Sequence, residues 1–220
     1  MAVPQGYDLT VQQLIPGYAS LARLSVALLA ASPLASRPGA AVLVAGCGTG
    51  ADLVEARAQR PDWQVTAIDP SAEMLAAAQQ RLGPADIVWR QARVEELEAE
   101  ACFAGALSVL VLQSLPDDGT KLAFLSALAR SLEPGGQLVL VDLMAPERSP
   151  LQPQVAEAWL GFQRASGLLA RDEDLLALTQ GLHPIGEARL TALVNAAGFS
   201  DPARVFQALG YEGFLLQRAR

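Results

Sequence analysis

The stretch Ala41-Val42-Leu43-Val44-Ala45-Gly46-Cys47-Gly48-Thr49-Gly50 leaves this chain few ways to fold, because a short apolar run stops abruptly in a glycine-rich turn. Val42 to Ala45 have the length and branching of a strand covered on both faces. Gly46, Gly48 and Gly50 let the backbone turn sharply and approach a ligand closely. A helical pattern starts at Ala51, with Leu53, Val54 and Ala58 on one side. The free N–H groups and positive dipole end of such a helix face whatever lies over the glycines. Strand, glycine turn and helix together outline a nucleotide-type binding loop.

The turn alone does not name its ligand, since Gly46, Gly48 and Ala51 also satisfy the looser dinucleotide fingerprint. The next strand, 64–68, ends in Asp69, where the acidic residue of this architecture accepts hydrogen bonds from both hydroxyls of an adenosine ribose. The continuation Asp69-Pro70-Ser71-Ala72-Glu73-Met74-Leu75, taken with the glycine turn, resembles the class I S-adenosylmethionine (SAM) dependent methyltransferases more than the nicotinamide dehydrogenases. The resemblance implies that Gly46, Cys47, Gly48 and Gly50 meet the methionine end of SAM, that Asp69 holds the ribose, and that Pro70 and Met74 lie beside it.

At 220 residues the chain is long enough for one ample core and is read as a single domain. Its net charge of -7, with Lys121 as the only lysine, argues against nucleic acid held mainly through phosphates. Cys47 and Cys102 give neither a disulfide framework nor a metal-ligand spacing, which fits a reducing cytoplasm and no metal. The first residues lack the pattern of a secretory signal, and the apolar stretch 24–31 is too short to span a bilayer. A cytoplasmic protein without a membrane partner is expected.

Strands and helices alternate through residues 41–142, which implies a mostly parallel sheet with right-handed crossovers and helices on both faces. Helices are expected at 18–31, 51–59, 72–82 (capped by Ser71) and from Pro116-Asp117-Asp118-Gly119 to 132, with strands at 86–90, 106–112 and 137–142. Residues 1–35 read as a lid, with a short apolar segment at 9–15 before the helix. Residues 145–190 read as a helical insert with helices at 155–169 and 172–179, and a further helix follows at 186–197. Two last strands, 203–208 and 211–217, flank Gly210 and form an antiparallel hairpin. The expected fold is α/β, a Rossmann-like methyltransferase architecture with a seven-stranded sheet.

Several phrases outside the common core, Ile15-Pro16-Gly17-Tyr18, Leu112-Gln113-Ser114-Leu115, Phe162-Gln163-Arg164-Ala165-Ser166-Gly167 and Phe206-Gln207, resemble the carboxy-SAM synthase subgroup. Its members turn SAM and prephenate into a carboxymethyl sulfonium, and the resemblance implies a homodimer. On local pattern alone a tyrosine at position 18 more often serves packing. The subgroup places the matching tyrosine against the ligand, where a ring face can attract a sulfonium.

Three departures qualify this likeness. Arg93-Val94 stand where the subgroup flanks adenine with an Asp-Ile pair, and about Val109 replaces an asparagine early in the expected fourth strand. The insert stretch 175–182 carries no cation where the synthase clamps the added carboxylate with arginine. Losing that bidentate partner forfeits most preference for carboxy-SAM. Ordinary SAM and a small-molecule methyl acceptor are therefore expected, with contacts from Tyr18, Arg93, Val94 and Val109 added to those of the turn; a carboxy-SAM synthase-like enzyme and a non-catalytic SAM-binding protein are the alternatives. Tyr18, Gln113, Arg164 and His183 are the candidates on the acceptor side, none with an evident catalytic partner. A solvated helix-face arginine is the ordinary alternative for Arg164.

Overall fold

A computed structural model describes residues 7–98, 100–146, 148–168 and 181–219. Seven strands form one sheet: β1 (Ala41–Ala45), β2 (Gln64–Ile68), β3 (Ile87–Arg90), β4 (Phe103–Val109), β5 (Leu132–Leu143), β6 (Ala203–Ala208) and β7 (Tyr211–Gln217), in spatial order β3-β2-β1-β4-β5-β7-β6. The first five run parallel; β7 lies antiparallel to β5 and closes a hairpin with β6. The chain order thus reverses between β1 and β4, and the crevice at such a switch point is where open α/β sheets bind ligands.

Strand alternation fixes two cores. Val42 and Val44 of β1 face the layer of α2 (Tyr18–Ala30), α3 (Ala51–Gln59) and α4 (Ala72–Leu82), whose Leu21, Leu29, Leu53 and Leu75 they join. Leu43 and Ala45 face the opposite layer, with Phe124, Leu125 and Leu128 of α5 (Thr120–Ser131) and Leu190 and Val194 of a later helix (Glu187–Ala196). The expected sheet, with helices on both faces and a terminal hairpin, is the one observed. Among the described residues no single helix is long and apolar enough to cross a membrane.

The differences have local causes. The apolar segment before Pro16 is itself a helix, α1 (Tyr7–Leu14), bent by 90° from α2. Strand β4 was expected at 106–112 but runs three residues earlier at both ends: Leu110 adopts φ 62, and Leu112–Ser114 closes as a 3-10 turn. The strand β5 starts at Leu132 rather than 137, because Phe103 pairs with Leu132 before the register resumes at Gly105 and Gln137, leaving Glu133-Pro134-Gly135-Gly136 looped out. The insert helix, α6, spans Gln152–Ala165 instead of 155–169. The helix Glu187–Ala196 is α7, with Gly186 as its cap. The helix expected at 172–179 lies outside the described residues.

Candidate functional site

Above the carboxyl ends of β1, β2 and β4 the glycine turn forms the floor of a cavity of about 350 Å³. Gly46 and Gly48 adopt φ 71 and 50, the left-handed region that glycine reaches without steric cost. They do different work there. A Cβ on Gly46 would sit 2.3 Å from Val111 Cγ2, so that glycine permits close packing of the β4 loop. A Cβ on Gly48 would meet nothing within 4 Å. Gly48 is bare because the space beside it is open, as a ligand cradle requires.

Asp69 ties this turn to the end of β2. Its Oδ2 accepts from the Gly48 N–H at 2.9 Å and its Oδ1 from the Ser71 N–H at 2.9 Å. Each carboxylate oxygen retains acceptor capacity for a ligand hydroxyl. Ser71 also accepts from the Met74 N–H at 3.2 Å, which caps α4 and sets Met74 on the cavity wall.

Two tyrosines of the amino-terminal helices, Tyr7 and Tyr18, line the opposite side. Helix α1 is fastened across the cavity by Asp8, which accepts from the Thr49 hydroxyl at 2.6 Å and pairs with Arg81. Trp159 of α6 donates to the Leu14 carbonyl at 2.8 Å and meets Tyr211 edge-on. Burial pushes the Tyr18 hydroxyl up to about 12, helped by the negative Asp52 and by Tyr7. Burial likewise raises Tyr7, with Asp69 adding to it, and raises the Cys47 thiol to about 12. At neutral pH these three groups are protonated, which leaves Cys47 a small inert residue.

Of the residues expected to bind the cofactor, Tyr18, Gly46, Cys47, Gly48, Asp69, Pro70, Met74 and Val109 line this cavity. Arg93 and Val94 line an adjoining chamber of about 120 Å³ that shares Gly46, Pro70, Val111 and Leu115 with it. Gly50 is different: it lies outside both linings, at the amino cap of α3. A Cβ there would sit 3.0 Å from Leu82 Cδ1 and 3.1 Å from Ala78 Cβ, so Gly50 serves helix packing.

Three of the four acceptor-side candidates also lie outside the linings. The Gln113 side chain turns to β5 and accepts from the Leu143 N–H at 2.7 Å; its own N–H donates to Asp142 at 2.9 Å. His183 is exposed and donates its backbone N–H to the Gln113 carbonyl at 2.6 Å. Arg164 is exposed on α6. Tyr18 alone of the four reaches the cavity.

Sequence reasoning passed over Tyr7, Thr49, Asp52, Ser71, Leu110, Val111, Ser114 and Leu115, all on the wall. Asp52 is the consequential omission. It is 8% exposed, one carboxylate oxygen has no donor, and burial lifts its pKa to about 6. Among the described residues no lysine, arginine or histidine lines the main cavity, whereas Asp52 and Asp69 both do.

A glycine-turn cavity at the switch point, a carboxylate at the end of the second strand and an antiparallel seventh strand inserted between β5 and β6 decide the architecture. This is the class I SAM-dependent methyltransferase fold. A family model described as a methyltransferase domain matches residues 42–136. An uncharacterised methyltransferase of Mycobacterium tuberculosis is 37% identical over 106 residues, 48% of this chain and 51% of that one. The chain thus spans about half the length of this curated relative. A carboxy-S-adenosyl-L-methionine synthase of Aeromonas hydrophila is 25% identical over 214 residues, 91% of this chain and 82% of that protein. Among solved structures, Burkholderia thailandensis 1,6-didemethyltoxoflavin-N1-methyltransferase, with 1,6-didemethyltoxoflavin and S-adenosylhomocysteine bound, shares the methyltransferase fold at a TM-score of 0.62 and 23% identity, covering 100% of this chain and 92% of that one.

Proposed function

We propose that the protein binds SAM in this cavity and transfers its methyl group to a small-molecule acceptor. The observation that carries the proposal is the charge of the wall: two carboxylates, two tyrosines and, among the described residues, no basic side chain, built around an open glycine cradle. Such a wall suits a ligand that carries positive charge and ribose hydroxyls.

Asp69 would accept from the ribose hydroxyls, the Gly46–Gly48 backbone would lie along the thioether tail, and Arg93 and Val94 would flank adenine in the smaller chamber. Bound SAM supplies an activated methyl on a sulfonium that leaves as a neutral thioether. The protein's part is then to hold donor and acceptor in line and to exclude water, which needs few catalytic side chains. Tyr18, held protonated, contributes its ring face and hydroxyl and is not a base at neutral pH. The roof of α1 and α6 over Tyr7 and Tyr18 keeps water from the reacting atoms.

A second reading, synthesis of carboxy-SAM from SAM and prephenate, is favoured by the relative that matches along most of the chain. The wall opposes it, since an added carboxylate would meet Asp52 and Asp69 without a cation among the described residues. The finer setting belongs to the same proposal: a cytoplasmic homodimer with no nucleic-acid partner. The dimer rests on the subgroup resemblance, and light scattering at twice the 23.1 kDa chain mass tests it.

The deciding experiment is mass spectrometry of small molecules released from the denatured protein, with titrations of SAM, carboxy-SAM and NAD. Recovery of SAM or S-adenosylhomocysteine, with SAM bound more tightly than carboxy-SAM, is expected. Preference for carboxy-SAM would overturn the methyltransferase reading, and binding of NAD alone would overturn the cofactor.

A further inference from the structure

We infer that the Asp52 carboxylate is the seat of the α-ammonium group of the bound cofactor's amino-acid tail. The inference rests on the SAM reading and adds to it a residue that neither the glycine turn nor the ribose carboxylate supplies.

Asp52 stands in the first turn of α3, immediately behind the glycine turn, and lines the main cavity. An acidic residue near a helix amino terminus is ordinarily explained by the dipole, but that effect works from exposed positions and demands no burial. Asp52 is 8% exposed, and one of its oxygens meets neither solvent nor a donor. Buried carboxylates in native proteins are paired or hydrogen-bonded; among the described residues this one has only a local hydrogen bond from its own backbone N–H, and its Oδ1 is left without a donor.

The neighbouring donors are spent elsewhere. The Thr49 hydroxyl donates to Asp8, and the Gly48 N–H donates to Asp69. Among the described residues no lysine, arginine or histidine lines the cavity. The donor to the buried Oδ1 is therefore assigned to the ligand, and a buried carboxylate suits a cation with several N–H donors.

Position selects which end of the ligand provides it. The adenine-sized chamber opens beyond Gly46 and Pro70, and Asp69 stands at the Pro70 end of the main cavity. Asp52 stands by the other tyrosine: its charge acts on Tyr18, whereas that of Asp69 acts on Tyr7, and all four residues line the cavity. A nucleoside whose ribose meets Asp69 and whose base enters the smaller chamber directs its amino-acid tail towards Asp52. The ammonium completes the carboxylate, and with a pKa of about 6 the group is ionised at neutral pH to receive it.

The test uses S-adenosylhomocysteine, in which the ammonium is the only cation, and its analogue with the α-amino group replaced by hydrogen. Calorimetry of the wild-type protein should show the amino ligand bound about 10- to 100-fold more tightly, as a charge-assisted hydrogen bond to a buried group predicts. In Asp52→Asn the preference should fall to about 3-fold or less, with the analogue's own affinity little changed. Equal binding of both ligands by the wild-type protein, or full preference retained in the variant, overturns the assignment while leaving SAM as cofactor. Failure of the wild-type protein to bind either ligand refutes the SAM reading and this inference with it. The wild-type comparison decides even if the variant does not fold.

Discussion

Replacing Lys121 with methionine should destabilise the protein by about 2 kcal/mol at pH 7.5, and the loss should shrink on acidification. Lys121 is fully buried on α5 and donates its ammonium to the Leu112 carbonyl at the start of the 3-10 turn after β4. Its charge also faces Asp142 of β5, whose Oδ1 accepts from the Gln113 N–H at 2.9 Å and whose Oδ2 has no donor. Methionine keeps the volume but removes one of two donors to the Leu112 carbonyl, which keeps the Leu115 N–H at 3.2 Å, at a cost of about 1 kcal/mol, and it leaves Asp142 without its cation.

The second cost is pH-dependent in a defined direction. Burial raises Asp142 to about 7, against an ordinary 3.8, with Gln113 and Lys121 pulling the other way. Between those values the folded protein holds the proton more tightly than the unfolded chain. This group's contribution is full below the unfolded pKa and is lost as pH rises through the folded one, at up to about 1.4 kcal/mol per pH unit. Without Lys121 the folded pKa climbs further and the loss extends to higher pH. Urea unfolding followed by tryptophan fluorescence should therefore show the gap between wild type and Lys121→Met widening by about 0.5–0.8 kcal/mol from pH 5.5 to 7.5. Adding Asp142→Asn to Lys121→Met should narrow it again. A gap below about 0.5 kcal/mol, or one constant with pH, would refute the coupling. Because Val111, Ser114 and Leu115 surround the supported turn on the cavity wall, the variant should also weaken S-adenosylhomocysteine binding.

The glycine turn gives a paired contrast. Gly46→Ala should lower stability by about 3 kcal/mol or more through its overlap with Val111, whereas Gly48→Ala should cost only about 1–2 kcal/mol of backbone strain yet still weaken S-adenosylhomocysteine binding; denaturation and calorimetry separate the two. Asp8→Ala, which releases Thr49 and Arg81, should speed amide exchange in α1 and lower ligand affinity; exchange unchanged there would show that α1 is held without Asp8. Tyr18→Phe should bind SAM within about 3-fold of wild type, while Tyr18→Ala should lose more affinity for SAM than for uncharged-sulfur S-adenosylhomocysteine, by about 2- to 5-fold. Equal losses for both ligands would remove the ring face from the sulfonium's binding.

Local pattern made the frame legible: β1, the glycine turn and Asp69 each announce themselves within ten residues. The end of β4 did not, because Val109-Leu110-Val111-Leu112 is continuously apolar whether it runs on in a strand or turns to wall a cavity. Only the left-handed backbone of Leu110 separates those cases, and hydrophobicity carries no trace of it. Asp52 was hidden for the converse reason. An aspartate in the first turn of a helix reads as a solvated, dipole-friendly residue, and its burial depends on α1 and α2, which are distant in sequence, covering it. Gln113 shows the same blindness in reverse: a polar side chain after a strand reads as functional until it is seen bonded to the Leu143 backbone.

The subgroup phrases teach something more specific about what a resemblance conveys. Gly17 of Pro16-Gly17-Tyr18 adopts φ 81, and a Cβ on it would lie 3.1 Å from Phe206 Cζ of Phe206-Gln207. Gly167, which ends the Phe162–Gly167 phrase, lies where a Cβ would come 3.4 Å from Gln13 Nε2 of α1. Phrases far apart in sequence are thus packing partners that hold α1, α2, α6 and the hairpin together over the cavity. They constrain the roof jointly, and a change in one demands a change in another. Substrate chemistry is under no such joint constraint, because the charges that read the ligand stand on the wall beneath. On the proposed reading, the roof phrases can stay similar to those of the carboxy-SAM synthase subgroup while the wall, with Asp52 and Asp69 and no basic side chain among the described residues, would suit the uncarboxylated sulfonium.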